Sequence, residues 1–277
     1  MIGNYIKKII MLLKSEKKVP IVNFVYNNRL LCGKVVLITG GSGGIGKAIA
    51  QKIVSSGGKV ILTGRNKNKL IECCNSIADR ECIHYCTLDL NDVSSLDDKI
   101  EFASKLFPDN KIDILINCAG IIDHTPFLQV SEDTFDKVMD TNIKGTFFVC
   151  QAVAKQMINK GIKGHILNIS SSSAMRPAST PYNISKWSIR GFTSGLADVL
   201  LPYGIVVNAI GPGPTSTEML GKKDGDSIEH PTNPSGRFVT PDEIANLAVL
   251  MISGMGDMIV GDTFYISGGS GTITMHK

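Results

Sequence analysis

The chain has 277 residues, 43% of them apolar, and a formal charge of +4. That length and apolar content suit one large α/β domain with its own core and exclude a disordered or fibrous chain. The charge is concentrated in residues 1–18, where five lysines face only Glu16, so the remainder sums to zero and lacks the basic surface that nucleic-acid binding needs.

Residues 1–14 place Ile2, Tyr5, Ile6, Ile9, Ile10 and Leu13 at helical spacing on one face, bordered by Lys7, Lys8 and Lys14. The longest apolar run there, 9–13, is shorter than the roughly 20 residues of a bilayer span or the about 7–15 of a signal-peptide core. The segment reads as a basic amphipathic arm that packs on protein, with an anionic membrane surface as the alternative. Pro20, Asn27 and Asn28 end the pattern. A β-prone run at 34–39 then enters a glycine-rich turn, followed by a helical pattern from Lys47 to Ile53. Further strands are predicted at 60–63, 83–88, 112–116, 165–169, 205–210 and 264–266. Helices are predicted between them at 70–78, 96–106, 131–159, 180–201 and 241–252. This alternation predicts a single doubly wound parallel sheet of about seven strands, Rossmann-type, with helices on both faces. Seven cysteines, with Cys73 and Cys74 adjacent, and five scattered histidines predict free thiols in a reducing cytoplasm and no bound metal.

The turn Thr39-Gly40-Gly41-Ser42-Gly43-Gly44-Ile45-Gly46 is a dinucleotide-binding signal. Its glycines admit a pyrophosphate to the backbone, and the helix behind them presents free N–H groups. In open parallel sheets ligands bind beyond the carboxyl ends of the strands. Asn117–Gly120, Ser171 and Pro212–Thr215 all fall there. Tyr182 and Lys186 lie four apart on one helix face. Lowering a tyrosine from about 10 to about 7 takes roughly 4 kcal/mol. One ammonium about 4 Å away at an effective dielectric near 20 supplies about that much, so the pair suffices as a proton donor and acceptor.

The turn resembles the Thr-Gly-x-x-x-Gly-x-Gly of the short-chain dehydrogenase/reductase family. Three further motifs resemble that family's in the same order. They are Asn117-Cys118-Ala119-Gly120, Tyr182-Asn183-Ile184-Ser185-Lys186 and Pro212-Gly213-Pro214-Thr215. The similarity runs from about residue 33 to 270, which sets off 1–32 as the arm and 33–277 as the catalytic domain. The resemblance implies Asn142, Ser171, Tyr182 and Lys186 as catalytic residues, with Asn142 at a helix kink that holds a water in the proton relay. The run Ser170 to Ser173 leaves the serine open by one position, and Ser171 stands two residues closer to Tyr182 than is common in the family. It also implies a cofactor site of Thr39, Gly40, Ser42, Gly44, Ile45, Gly46, Arg65, Asn66, Asp89, Leu90, Asn117, Ala119, Gly120, Tyr182, Lys186, Pro212, Gly213, Thr215 and Thr217. The segment 215–236 corresponds to the family's substrate lid.

At the end of the second strand, where an acid would favour NAD, stand Gly64, Arg65 and Asn66. Arg65 favours the 2′-phosphate of NADP, with NAD possible. Ser173, Met175, Arg176, Pro214 and Met219 are expected to line the substrate pocket. The expected activity is NADP(H)-dependent interconversion of a ketone and a secondary alcohol, the small-molecule carbonyl or alcohol being unspecified. A 3-oxoacyl-carrier-protein reductase and a ketosugar reductase are alternatives. A non-catalytic cofactor-binding regulator is disfavoured because Tyr182 and Lys186 are both present. The resemblance further implies a homotetramer or homodimer.

Overall fold

Strand β1 (Val35–Thr39) is buried along its whole length and receives a parallel neighbour on each side, β2 (Lys59–Gly64) and β4 (Ile114–Asn117). With β3 (Ile83–Thr87), β5 (His165–Ile169), β6 (Val206–Pro212) and β7 (Thr263–Ile266) it forms one seven-stranded parallel sheet, ordered β3-β2-β1-β4-β5-β6-β7. These features come from a computed structural model that describes residues 29–77, 80–223 and 225–274. The amphipathic pattern of the first 28 residues lies outside them.

Because strand side chains alternate, each strand serves two cores. Val36, Ile38, Val60, Leu62, Ile114 and Ile116 face α1 (Gly44–Ser55) and α7 (Pro241–Met251). Val35, Leu37, Ile61, Leu115, Ile166 and Val207 face α3 (Leu96–Ser104), α5 (Gly145–Asn159) and α6 (Pro181–Leu200). The remaining helices are α2 (Lys67–Ser76) and α4 (Glu132–Met139). Leu31, expected in the arm, is fully buried in the first core and its N–H donates to the Ser56 carbonyl. The folded body therefore begins before Gly33.

Caps explain where several helices start. The Asn66 side chain accepts from the Lys69 N–H, so α2 begins three residues ahead of the expected 70. Thr240 and Glu243 form a reciprocal capping box on α7. Thr180 caps α6.

The helical pattern expected at 131–159, with its kink at Asn142, is divided by a π-helical turn, Asp140–Lys144, between α4 and α5. Asn142 lies inside that turn, and its amide is bonded away from the helix, to the Ile121 backbone and Ser185. Such turns widen a helix by one residue and recur at functional sites. Among the described residues no helix is long and apolar enough to cross a membrane. No metal-binding group of three or more His, Cys, Asp or Glu occurs among them.

Candidate active site

The topology reverses between β1 and β4, and the glycine turn follows β1 at that point. Gly40 has φ +65°, and a Cβ there would lie 2.7 Å from Cα of Ala119. A Cβ at Gly46 would lie 2.4 Å from the Gly40 carbonyl oxygen. Both positions therefore need glycine to bring the turn against α1 and the end of β4. The Ala119 N–H donates to Thr39 Oγ1 at 3.2 Å, tying the two strand ends together.

The N-cap of α1 is Gly43, which has no side chain to cap the helix, and no acid occupies the first turn. The first N–H groups of α1 are left for an anion, as a pyrophosphate would require. The residues present thus fit a dinucleotide.

Two cavities open on this edge and share Gly40, Ala119, Gly120 and Ile121. The smaller, about 310 Å³, is walled by Ser42, Arg65, Asn66, Lys69, Asp89 and Leu90 among others. The larger, about 420 Å³, brings together Gly44, Ile45, Ser171, Tyr182, Lys186, Pro212, Gly213, Thr215 and Thr217. Gly46, Asn117 and Asn142 do not line either cavity. Gly46 shapes the turn from behind. Asn117 Nδ2 donates to Asn168 Oδ1 at 2.9 Å inside the sheet. Asn142 holds Ile121, which does line the wall, by a pair of bonds to its N–H and C=O at 2.8 and 2.9 Å.

Within the serine run, the Ser170 hydroxyl donates to the Lys186 carbonyl, and Ser171 is the serine whose side chain lowers the Tyr182 pKa. Lys186 Nζ donates to the Ile169 carbonyl at 2.9 Å and lies 5.7 Å from the Tyr182 ring centroid. Burial pushes the Lys186 ammonium down to about 8. Burial also raises Tyr182, against the lowering effect of the Ser171 bond.

The simple arithmetic of an ammonium pulling tyrosine toward neutrality is not what this arrangement shows. Desolvation dominates both groups, and the hydrogen bond that lowers Tyr182 comes from Ser171. Cys118 lines the same cavity, but burial lifts its thiol to about 12, so it stays protonated.

Of the expected pocket residues, Ser173, Arg176, Pro214 and Met219 line the larger cavity. Met175 does not, and instead approaches Gly271. Within 215–236, Thr217, Glu218, Met219 and Leu220 overhang the cavity, the last three as a 3₁₀ turn. Sequence reasoning missed Ile121, Ile122, Glu218 and Ser270. The glycine cluster Gly268, Gly269 and Gly271, all at positive φ just after β7, was the signal for Ser270.

A doubly wound parallel sheet, an uncapped helix behind a glycine turn, and a Tyr–Lys pair at the carboxyl edge define a dinucleotide-dependent oxidoreductase. Comparison with known proteins is more specific. The model of the short chain dehydrogenase family matches residues 34–227. The 3-oxoacyl-(acyl-carrier-protein) reductase FabG of Rickettsia bellii is 35% identical over 245 residues, covering 86% of this chain and 97% of its own. A gluconate 5-dehydrogenase from Burkholderia cenocepacia, solved with NADP and tartrate, superposes with TM-score 0.81. It is 29% identical and covers 90% of this chain and 99% of its own. A 3-ketoacyl-(acyl-carrier-protein) reductase from Brucella melitensis, solved with NADH, superposes with TM-score 0.78 at 30% identity, covering 87% and 99%. The chain belongs to the short-chain dehydrogenase/reductase family. It is an oxidoreductase that acts on CH–OH or keto groups with a nicotinamide cofactor.

Proposed function

We propose that this enzyme interconverts a ketone and a secondary alcohol with NADP(H), and that Tyr182 carries the proton. The observation that supports this most is that Ser171, Tyr182 and Lys186 share the wall of one cavity with the glycine turn. A bound nicotinamide supplies or accepts the hydride. Tyr182, held protonated by burial, donates to the carbonyl oxygen during reduction. Ser171 holds the same oxygen by a second hydrogen bond, and Lys186 places positive charge behind the tyrosine while its Nζ is anchored on Ile169. Arg65 and Lys69, on the wall of the smaller cavity, support a 2′-phosphate and hence NADP over NAD.

A 3-oxoacyl thioester is the second reading, favoured by the FabG relative. A homodimer or homotetramer fits the apolar side chains left on α5 and α6. Phe147 is 43% exposed and meets Phe148 edge-on and Phe192 at a tilt, with Trp187 and Val199 also exposed.

The test is reduced-nicotinamide absorbance during turnover of a carbonyl panel, including sugars and 3-oxoacyl thioesters, by wild type and Tyr182→Phe. The variant should bind cofactor normally and lose far more than tenfold in kcat. Retention of more than about a tenth, a barrier change under roughly 1.4 kcal/mol, excludes Tyr182 as the acid.

A further inference from the structure

We propose that Arg176 is the anion-recognising residue of the substrate pocket, so that the substrate carries a carboxylate or phosphate besides its carbonyl. This rests on the ketone–alcohol reading of the site. Arg176 follows the 3₁₀ turn Ser172–Met175, which begins at Ser171, and both residues share a cavity wall with Tyr182. At a rise of about 2 Å per residue such a turn separates the two Cα atoms by about 10 Å. A guanidinium on that wall can meet a group a few bonds from the reacting carbon.

Two backbone bonds fix where this exposed residue leaves the chain, and one side-chain bond holds its guanidinium. Its backbone carbonyl accepts from Trp187 Nε1 at 2.7 Å. Its N–H donates to Ser173 O at 3.2 Å. Its Nη2 donates to Ser270 Oγ at 2.6 Å, and Ser270 is itself buried. Ser270 reaches it because the chain after β7 is laid against this turn. Gly271, at φ +93°, would with a Cβ stand 2.9 Å from Ser172 O and 3.6 Å from Arg176 Nε.

One nitrogen of the guanidinium is thus fixed by a neutral hydroxyl. Among the described residues no carboxylate forms an ion pair with it. The charged side chains on the cavity wall are Lys186, Arg176 and Glu218. Lys186 is committed to Ile169, and Glu218 sits on the overhanging turn. Arg176 is therefore the cation on this wall that is available to a substrate, with most of its planar fork unused. Such a fork matches carboxylate or phosphate. The structural relative solved with tartrate, a dicarboxylate, is consistent with an anionic ligand in this fold.

The experiment uses matched pairs with the full-length enzyme and reduced cofactor. They are 4-oxocyclohexanecarboxylate against its methyl ester, and dihydroxyacetone phosphate against dihydroxyacetone. Wild type should prefer the anionic member, and the pair with the larger preference identifies carboxylate or phosphate. R176A should lower that preference about 10- to 150-fold, the span of one charge-assisted hydrogen bond. The loss should appear in KM for the anionic member and exceed any change seen with the neutral one. R176K should recover part of it, because it keeps charge without the fork. S270A should give a smaller loss of the same kind, since Ser270 only positions the guanidinium. E218Q should leave the preference intact or raise it.

Equal losses for both members, or an unchanged preference, would overturn the proposal. Calorimetric titration of each anionic compound into the cofactor-bound enzyme reads binding even without turnover. Binding that R176A abolishes, with no turnover of any ketone, would retain the anion site and reject the reaction. Binding indifferent to R176A, or no binding to wild type, rejects the anion site whatever the activity.

Discussion

Lys186 is held where its charge is costly. Its ammonium, at about 8 against an ordinary 10.5, binds fewer protons in the folded than in the unfolded chain between those values. Stability from this group therefore rises with pH across that interval and is at its most unfavourable below 8. At about pH 7 the cost is on the order of 3 kcal/mol, at roughly 1.36 kcal/mol per unit. Lys186→Met removes that cost and sacrifices one hydrogen bond to Ile169, worth about 1 kcal/mol. The variant should be inactive yet melt higher than wild type near neutral pH, with the gain shrinking as pH rises toward 10.5. Lower stability across the whole range would show that the Ile169 bond outweighs desolvation. Arg65 has the opposite character, an exposed side chain at the rim of the smaller cavity. Arg65→Ala should reduce the preference for NADP over NAD about 10- to 150-fold by losing one charge-assisted contact, measured as the ratio of the two dissociation constants. Equal weakening of both cofactors would make Arg65 a support for its loop.

The interruption between α4 and α5 is a property of the element, and the buried side chain at its centre is bonded outside the helix. Asn142 bonds Ile121 at both backbone groups and donates to Ser185 Oγ, whose own hydroxyl donates to the Tyr182 carbonyl. The π turn thus braces both the loop after β4 and the first turn of α6, which carries Tyr182. Asn142→Ala would leave buried polar groups without partners, at about 1–3 kcal/mol each. At roughly 2–4 °C per kcal/mol this should be seen as a clear drop in melting temperature. The kcat should fall while cofactor affinity holds; an unchanged melting temperature would refute the brace. At this scale the sequence was legible where a pattern is local. Apolar β-prone runs located all seven strands, most plainly the central ones, which a parallel sheet buries on both faces. Tyr182 and Lys186 share a helix face by spacing alone. The resemblance implied a kink at Asn142; composition alone did not show its form as a π turn, because the bonding partner Ile121 lies about twenty residues away. Ser171 could not be separated from its neighbours for the same reason. What distinguishes it is that Ser170 is occupied by the Lys186 carbonyl. Ser270 was missed because it reaches the site from beyond the last strand, where the surrounding glycines were its one mark.

Across the whole molecule, charge and apolar surface are unevenly placed. The excess of +4 belongs to residues 1–18, and the rest of the chain is neutral. Apolar side chains remain exposed on α5 and α6, and Met255, Met258 and Phe264 remain exposed near β7. An amphipathic segment attached to such a body has apolar surface to meet on its own subunit or a second copy. The join between the two is Leu31, whose side chain is fully buried in the core that holds α1 and α7. Two truncations should therefore differ. Removing residues 2–28 takes away only the arm, and it should leave cofactor binding intact while lowering the melting temperature or changing the assembly mass. Removing residues 2–31 also empties the Leu31 site, and it should cost a further 2–5 kcal/mol or so, the range for truncating a buried leucine. Leu31→Ala in the full chain should reproduce that second increment. An unchanged melting temperature and mass after removal of 2–28 would reject packing on protein. Flotation of the full chain but not the shorter one with anionic liposomes would instead assign the arm to a membrane surface.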